Sequence, residues 1–181
     1  EMMDDLELID VAIGKGIYTG IMTDTASFRF PLTTSTTHRV IAHLIDVGVE
    51  KSNIHNAVYD TNSFGRLKLM GCALNNLRFL EDFKTSYISL TNKELDAHDF
   101  QKGDTEGLVN YGLSLKGAKF AVIFIEHKEE SIIKISFRSK GDFDVNTFAR
   151  THFNGGGHKN AAGGCSNLNL EDTIAKFISI L

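Results

Sequence analysis

The 181-residue chain is 42% hydrophobic and 23% charged with a net formal charge of −4, the proportions of a globular protein with room for one sizeable domain or two small ones. That balance excludes coating of long nucleic acid by a global basic field, although a small phosphorylated ligand needs only a few local cations. Cys72 and Cys165 form neither a disulfide framework nor a metal motif and suit a reducing, cytoplasmic setting, and no apolar run reaches the ~18 residues that would argue for a membrane-spanning helix.

Glu1 opens the chain inside what reads as a helix, which suggests that something precedes it. Ile9, Ile13, Ile17 and Ile21 recur every four residues and predict an apolar stripe on a helix over Leu8–Met22. Gly14, Gly16 and Gly20 in the same helix suggest close packing against a neighbour. Thr36–Val47 reads as a second helix, stopped by Gly48, and Ser52 is a candidate cap for a third, running through Tyr59. Leu67, Met70, Leu74 and Leu77 place an apolar face on a fourth, Phe64–Leu80. Tyr87–Leu90 is rich in β-formers, and Asp104 or Thr105 is placed to cap a helix running through Leu115. Ala118–Ile125 is apolar on both faces, as a central strand is. Ile132–Arg138 alternates across a polar turn from it, which predicts a hairpin. Val145, Phe148, Ala149 and His152 line one side of a short helix with Asp144 as its cap. Ile174, Phe177, Ile178 and Leu181 line the last one. The chain therefore reads as α/β, with a mostly helical part over residues 1–80 and a smaller α/β domain with a mixed sheet over 81–181. The boundary is expected at Leu80–Thr85.

Three segments carry chemistry. In Asn154–Gly164 (NGGGHKNAAGG), Gly155, Gly156 and Gly157 remove the Cβ barrier and let backbone amides converge on an anion, with His158 and Lys159 adding donors. The same run also serves as a tight turn. In Ile135–Val145, Arg138 ends the polar face of a strand, where its guanidinium can pair with a phosphate, with Ser139 and Lys140 beside it. A solvated strand end is the other reading. In Gly20–Phe30, Asp24 is a hard oxygen donor suited to manganese or magnesium, or else a cap. The aromatics of Phe28-Arg29-Phe30 are either core or a stacking surface for a base. Of the scattered histidines, His38, near a helix start, is the best placed to act.

GIMTDTASFRF (Gly20–Phe30) resembles the metal-binding motif of the DHH phosphoesterase superfamily. NGGGHKNAAGG, DTEGLVNY (Asp104–Tyr111) and Ile135–Phe153 resemble its DHH-associated C-terminal substrate domain. The resemblance runs from about Leu8 to Leu181 and is strongest to the branch that degrades nanoRNA and dephosphorylates 3′-phosphoadenosine 5′-phosphate. It implies that Asp24 is a catalytic metal ligand, and that Arg138, Ser139, Gly155, Gly156, Gly157 and His158 hold the phosphate and sugar of the substrate. It further implies two manganese ions (magnesium being the alternative) in a complete enzyme and a short RNA or nucleotide as partner. No membrane is implied, and homodimerisation is left open. Cyclic-dinucleotide, pyrophosphate and polyphosphate hydrolysis are alternatives within the superfamily; an inactive nucleotide-binding module is the alternative outside it. Two departures matter. Ala26 stands where relatives have glycine. The Asp-His-His of the family's name is also absent, its nearest string being Ala97-His98-Asp99, so this chain alone is expected to be inactive and part of a longer protein.

Overall fold

The computed structural model describes residues 8–31 and 33–181, in two compact units divided between Asn62 and Ser63. The helical reading of Glu1 onward lies outside the described residues. The first unit holds α1 (Val11–Asp24), α2 (Ser35–Asp46) and α3 (Lys51–Tyr59). Asp10 caps α1 by accepting the Ile13 N–H, and Thr34 and Thr37 cap α2 reciprocally. The core is Tyr18, Met22, Ile41, Leu44 and Val49.

The expected isoleucine stripe borders the buried row, with Ile9, Ile17 and Ile21 partly buried against this core. Gly14, Tyr18 and Met22 face inward, while Ile13 is 43% exposed. Residues four apart advance by more than one turn, so either row satisfies the spacing, and Tyr18 and Met22 carry the larger side chains. Of the three glycines, only Gly14 is a packing contact: a Cβ there would lie 2.8 Å from Val49, whereas Gly16 and Gly20 meet nothing within 4 Å. Ser52 is no cap either, because α3 starts behind Glu50 with no side-chain bond.

The second unit runs α4 (Phe64–Asn75), β1 (Arg78–Leu80), a 3-10 turn (Glu81–Phe83), β2 (Thr85–Leu90), α5 (Asn92–Ala97), α6 (Leu108–Ser114), β3 (Phe120–His127), β4 (Ile132–Ser139), α7 (Val145–His152), β5 (Gly156–His158), β6 (Ala161–Ser166) and α8 (Leu170–Ser179). The strands form one mixed sheet in the order β1-β2-β3-β4-β6-β5, parallel only between β2 and β3. β3 is apolar on both sides because both are covered. Phe120, Val122 and Phe124 pack with Phe137, Val145, Phe153 and Phe177 beneath α7 and α8. Ala121 and Ile123 pack with Leu69, Ala73, Leu95 and Leu108 beneath α4, α5 and α6.

α4 lays Leu69 and Ala73 against the sheet, so the second compact unit takes in this helix from Ser63 onward. α4 also ends sooner than its apolar spacing suggests, and Leu67 (51%) and Leu74 (40%) are exposed. The turn is made by Asn76, whose carboxamide donates to the Ser89 carbonyl at 2.9 Å and to Glu94 at 2.8 Å. α6 begins after Gly107 (φ +82°). Asp104 does not cap it; buried, it closes the preceding turn by accepting the Gln101 N–H at 2.8 Å.

Candidate substrate-binding site

β4, β6, β5 and α7 bring the predicted substrate residues of the second unit together. The antiparallel register places Ala121, Arg138, Ala161 and His158 in one cross-strand row. Paired positions share a face, so Arg138 stands beside Ala161, with Ser136 and Gly163 in the next row, while Ala121 on its other side is buried in the core under α6. One Nη of Arg138 donates to the carbonyl of Phe137 at 2.9 Å. Among the described residues no carboxylate pairs with this guanidinium. Half-burial pushes its pKa down from the ordinary value, and arginine nevertheless stays charged at neutral pH. A half-buried cation with unused fork donors is a natural partner for a phosphate.

Ser139 points to the opposite face. Buried, it donates to the Phe143 carbonyl at 2.7 Å and accepts from the Asn160 carboxamide at 2.9 Å, so its hydroxyl ties the β4 end to the turn before β6. Lys140 donates to the Leu113 carbonyl, and Lys159 pairs with Asp142 at 2.9 Å. Neither is the spare cation that the sequence suggests.

Gly155 and Gly157 do not present bare amides. Gly155 N–H donates to the Ala149 carbonyl at 3.2 Å, and Gly157 N–H to Oδ1 of Asn146 at 2.9 Å. They are required instead by the closeness of β5 to β6. A Cβ on Gly155 would sit 2.0 Å from the Gly163 carbonyl oxygen, and one on Gly157 2.5 Å from that of Ala161. The expectation of an amide cradle therefore gives way to a close-packed glycine hairpin that carries His158, exposed, on its rim.

Asn146 is a site residue that the sequence reading passed over. Its Oδ1 also accepts from Arg150 Nε at 3.1 Å, so one carboxamide fixes both the glycine strand and a cation at the end of α7. The only signal was the four-residue spacing of Asn146 and Arg150 on one helical face. Asp144 caps α7 as expected, accepting from the amides of Asn146 and Thr147. Those bonds, the Thr147 amide foremost, hold its carboxyl below the usual range.

In the first unit, Asp24 is the last, exposed residue of α1. A carboxylate at the negative end of a helix dipole concentrates negative potential, which favours a cation there. The three residues Ala26 (φ +50°), Ser27 (φ +56°) and Phe28 (φ +68°) follow in left-handed conformation. Bonds from Ser27 N–H to the Met22 carbonyl and from Phe28 N–H to the Thr25 hydroxyl hold them there. Phe28 lies 6.2 Å from the Tyr18 ring and 5.7 Å from that of His38. It is thus part of the core, whereas Phe30 is 50% exposed. Among the described residues no group of three or more His, Cys, Asp or Glu assembles. The described donors therefore do not assemble a metal centre, and Asp24 stands among them as a single carboxylate.

Compared with known proteins, residues 81–181 match the model of the DHHA1 domain. The chain belongs to the DHH phosphoesterase family. Its DHHA1 domain, residues 81–181, takes in β2 through α8 and so carries the glycine hairpin and Arg138. The chain is 33% identical over 147 residues to the bifunctional oligoribonuclease and PAP phosphatase NrnA of Bacillus subtilis, covering 81% of this chain and 45% of that protein. It is 32% identical over 152 residues to the protein of the same name from Thermus thermophilus, covering 83% and 44%. The chain thus spans about half the length of these curated relatives. A crystal structure of an exopolyphosphatase-related protein from Bacteroides fragilis superposes with a TM-score of 0.94 at 39% identity, covering 98% of this chain and 52% of that one.

Proposed function

We propose that this chain supplies the substrate grip, and one metal-binding carboxylate, of a hydrolase acting on short oligoribonucleotides and on 3′-phosphoadenosine 5′-phosphate. The observation that carries the reading is Arg138: a half-buried guanidinium with no acidic partner among the described residues, in one row with Ala161 and His158 and next to Gly163. Its free donors take two oxygens of a phosphate, and His158 adds a donor at the hairpin rim. The small Ala161 and Gly163 let a nucleotide lie flush, while Ser139 and Asn146 hold the two ends of the frame. NrnA relatives named for both activities support the substrate choice. Manganese, when bound, would supply Lewis-acid activation of water. Among the described residues, Asp24 would offer it one ligand. A cytoplasmic setting fits reduced Cys72 and Cys165.

Titrating this chain with a fluorescent diadenylate tests the grip. Arg138→Ala should weaken binding by about 30-fold, the loss of a charge-assisted pair; equal affinity would remove Arg138 from the site. Competition by 3′-phosphoadenosine 5′-phosphate and by pyrophosphate ranks the substrate classes, and better competition by pyrophosphate would favour the inorganic alternative. Adding manganese tests the chain's own activity, for which no turnover of the diadenylate is expected.

A further inference from the structure

The sheet face opposite Arg138 carries a second concavity. Phe120 pairs with Ser139 across β3 and β4, whereas Arg138 pairs with Ala121, so what lies over Phe120 is separated from the Arg138 face by the sheet itself. A cavity of about 300 Å³ opens there, with a wall of Phe120, Phe143 and Phe148 and with Lys84, Lys119 and His152 among its lining residues. That volume and an apolar lining with a few polar groups are typical of a small-ligand site.

Three observations point to the class of ligand. Phe143 is 43% exposed although its ring sits 4.8 Å from Phe120 and 5.9 Å from Phe148, which leaves an aromatic surface free for a planar ring. Lys84 and Lys119 are adjacent, the Lys119 N–H donating to the Lys84 carbonyl at 2.8 Å. No ion pair engages either among the described residues, and no lining residue has a carboxylate side chain. Lys84 is also held left-handed at φ +49°, a conformation that glycine or asparagine would adopt at lower cost.

We infer that this cavity is a second nucleotide site, which takes a nucleoside 5′-monophosphate with its base on Phe143 and its phosphate at Lys84 and Lys119. The choice of a nucleotide over another aromatic anion rests on the proposed function, since hydrolysis of short oligoribonucleotides releases nucleoside monophosphates. The site is therefore one for product.

The test is an NMR titration of the ¹⁵N-labelled chain with adenosine 5′-monophosphate, adenosine and inorganic phosphate. The nucleotide should shift the amides of Phe143, Phe148 and His152. Its affinity, read from those three amides, should fall about tenfold in Lys119→Glu and in Phe143→Ala, both at exposed positions. Inorganic phosphate or adenosine alone should bind at least about tenfold more weakly. Shifts confined to the surroundings of Arg138 and His158 would overturn the inference, as would an affinity unchanged by Lys119→Glu or phosphate binding as tightly as the nucleotide. The grip on the other face fails by a different result, diadenylate binding that survives Arg138→Ala, so the two claims fall separately.

Discussion

Substituting alanine at Gly155, Gly156 and Gly157 in turn separates a hairpin that needs glycine for closeness from one that needs it for bare amides. At Gly155 the new Cβ would lie 2.0 Å from the Gly163 carbonyl oxygen and 2.7 Å from the Gly164 Cα. Restoring ordinary contact requires β5 and β6 to separate by at least about 1 Å, and because the opposing atoms are backbone no side chain can yield. Overpacking of this kind costs about 3 kcal/mol, the upper end for one added carbon. For a chain of this length it should lower the melting temperature by roughly 6–12 °C. Gly157→Ala should be comparably damaging, with a 2.5 Å approach to the Ala161 oxygen and φ at +153°. Gly156→Ala should cost less than about 1 kcal/mol, because its Cβ would meet only the side-chain ends of Arg150 and Asn146 at 3.5 Å. Thermal and urea unfolding followed by circular dichroism measure all three. Equal stability of Gly155→Ala and Gly156→Ala would refute the close approach of the strands.

Ala26→Gly should stabilise the first unit by about 0.5–1 kcal/mol, because glycine relieves a left-handed alanine while adding unfolded-state freedom; urea unfolding reads it, and a loss of stability would mean that the φ of +50° carries no strain. Ser139→Ala should cost about 1–3 kcal/mol in the same assay, since it strips hydrogen bonds from the Phe143 carbonyl and the Asn160 carboxamide around a buried hydroxyl. A third prediction concerns acid. Burial pushes the Glu94 carboxyl up, but the Asn76 carboxamide, the amide and hydroxyl of Thr91 and the Cys72 thiol together bring it below its ordinary value. A depressed folded pKa means that its contribution is present above the unfolded value of about 4.3 and is lost as pH falls through the folded one. Glu94→Gln should therefore show a shallower decline of urea stability below about pH 4.3 than the parent, and parallel declines would exclude Glu94 as a source of acid lability.

The alternation of Ile133, Ile135 and Phe137 against Lys134, Ser136 and Arg138 made β4 legible, and the two-sided apolar run made β3 legible as central, because strand periodicity reports faces directly. Arg138 on the polar face followed from the same pattern. What the sequence could not convey is which of several equivalent rows a helix buries. Gly14, Tyr18 and Met22 share the spacing of the isoleucines, and α4 buries Leu69 and Ala73 rather than Leu67 and Leu74. Such choices depend on partners distant in the chain, as Val49 is to Gly14. The glycine motif misled in an instructive way. Glycine is equally required where an amide meets an anion and where backbone meets backbone, and only the approach of β5 to β6 separates the two. Asn146 escaped notice because its role depends on Gly157, eleven positions away and on another element.

On the proposed grip, the guanidinium of Arg138, which no carboxylate pairs with among the described residues, would link anion chemistry to folding. Any oxyanion that prefers the folded domain raises its apparent stability by mass action. Phosphate or sulfate in a buffer would then act as a silent ligand, shifting melting curves upward and masking weak nucleotide competitors, whereas a chloride buffer would leave the arginine available. Thermal-shift comparisons of this protein between buffers thus report occupancy of the arginine as much as the intrinsic strength of the fold.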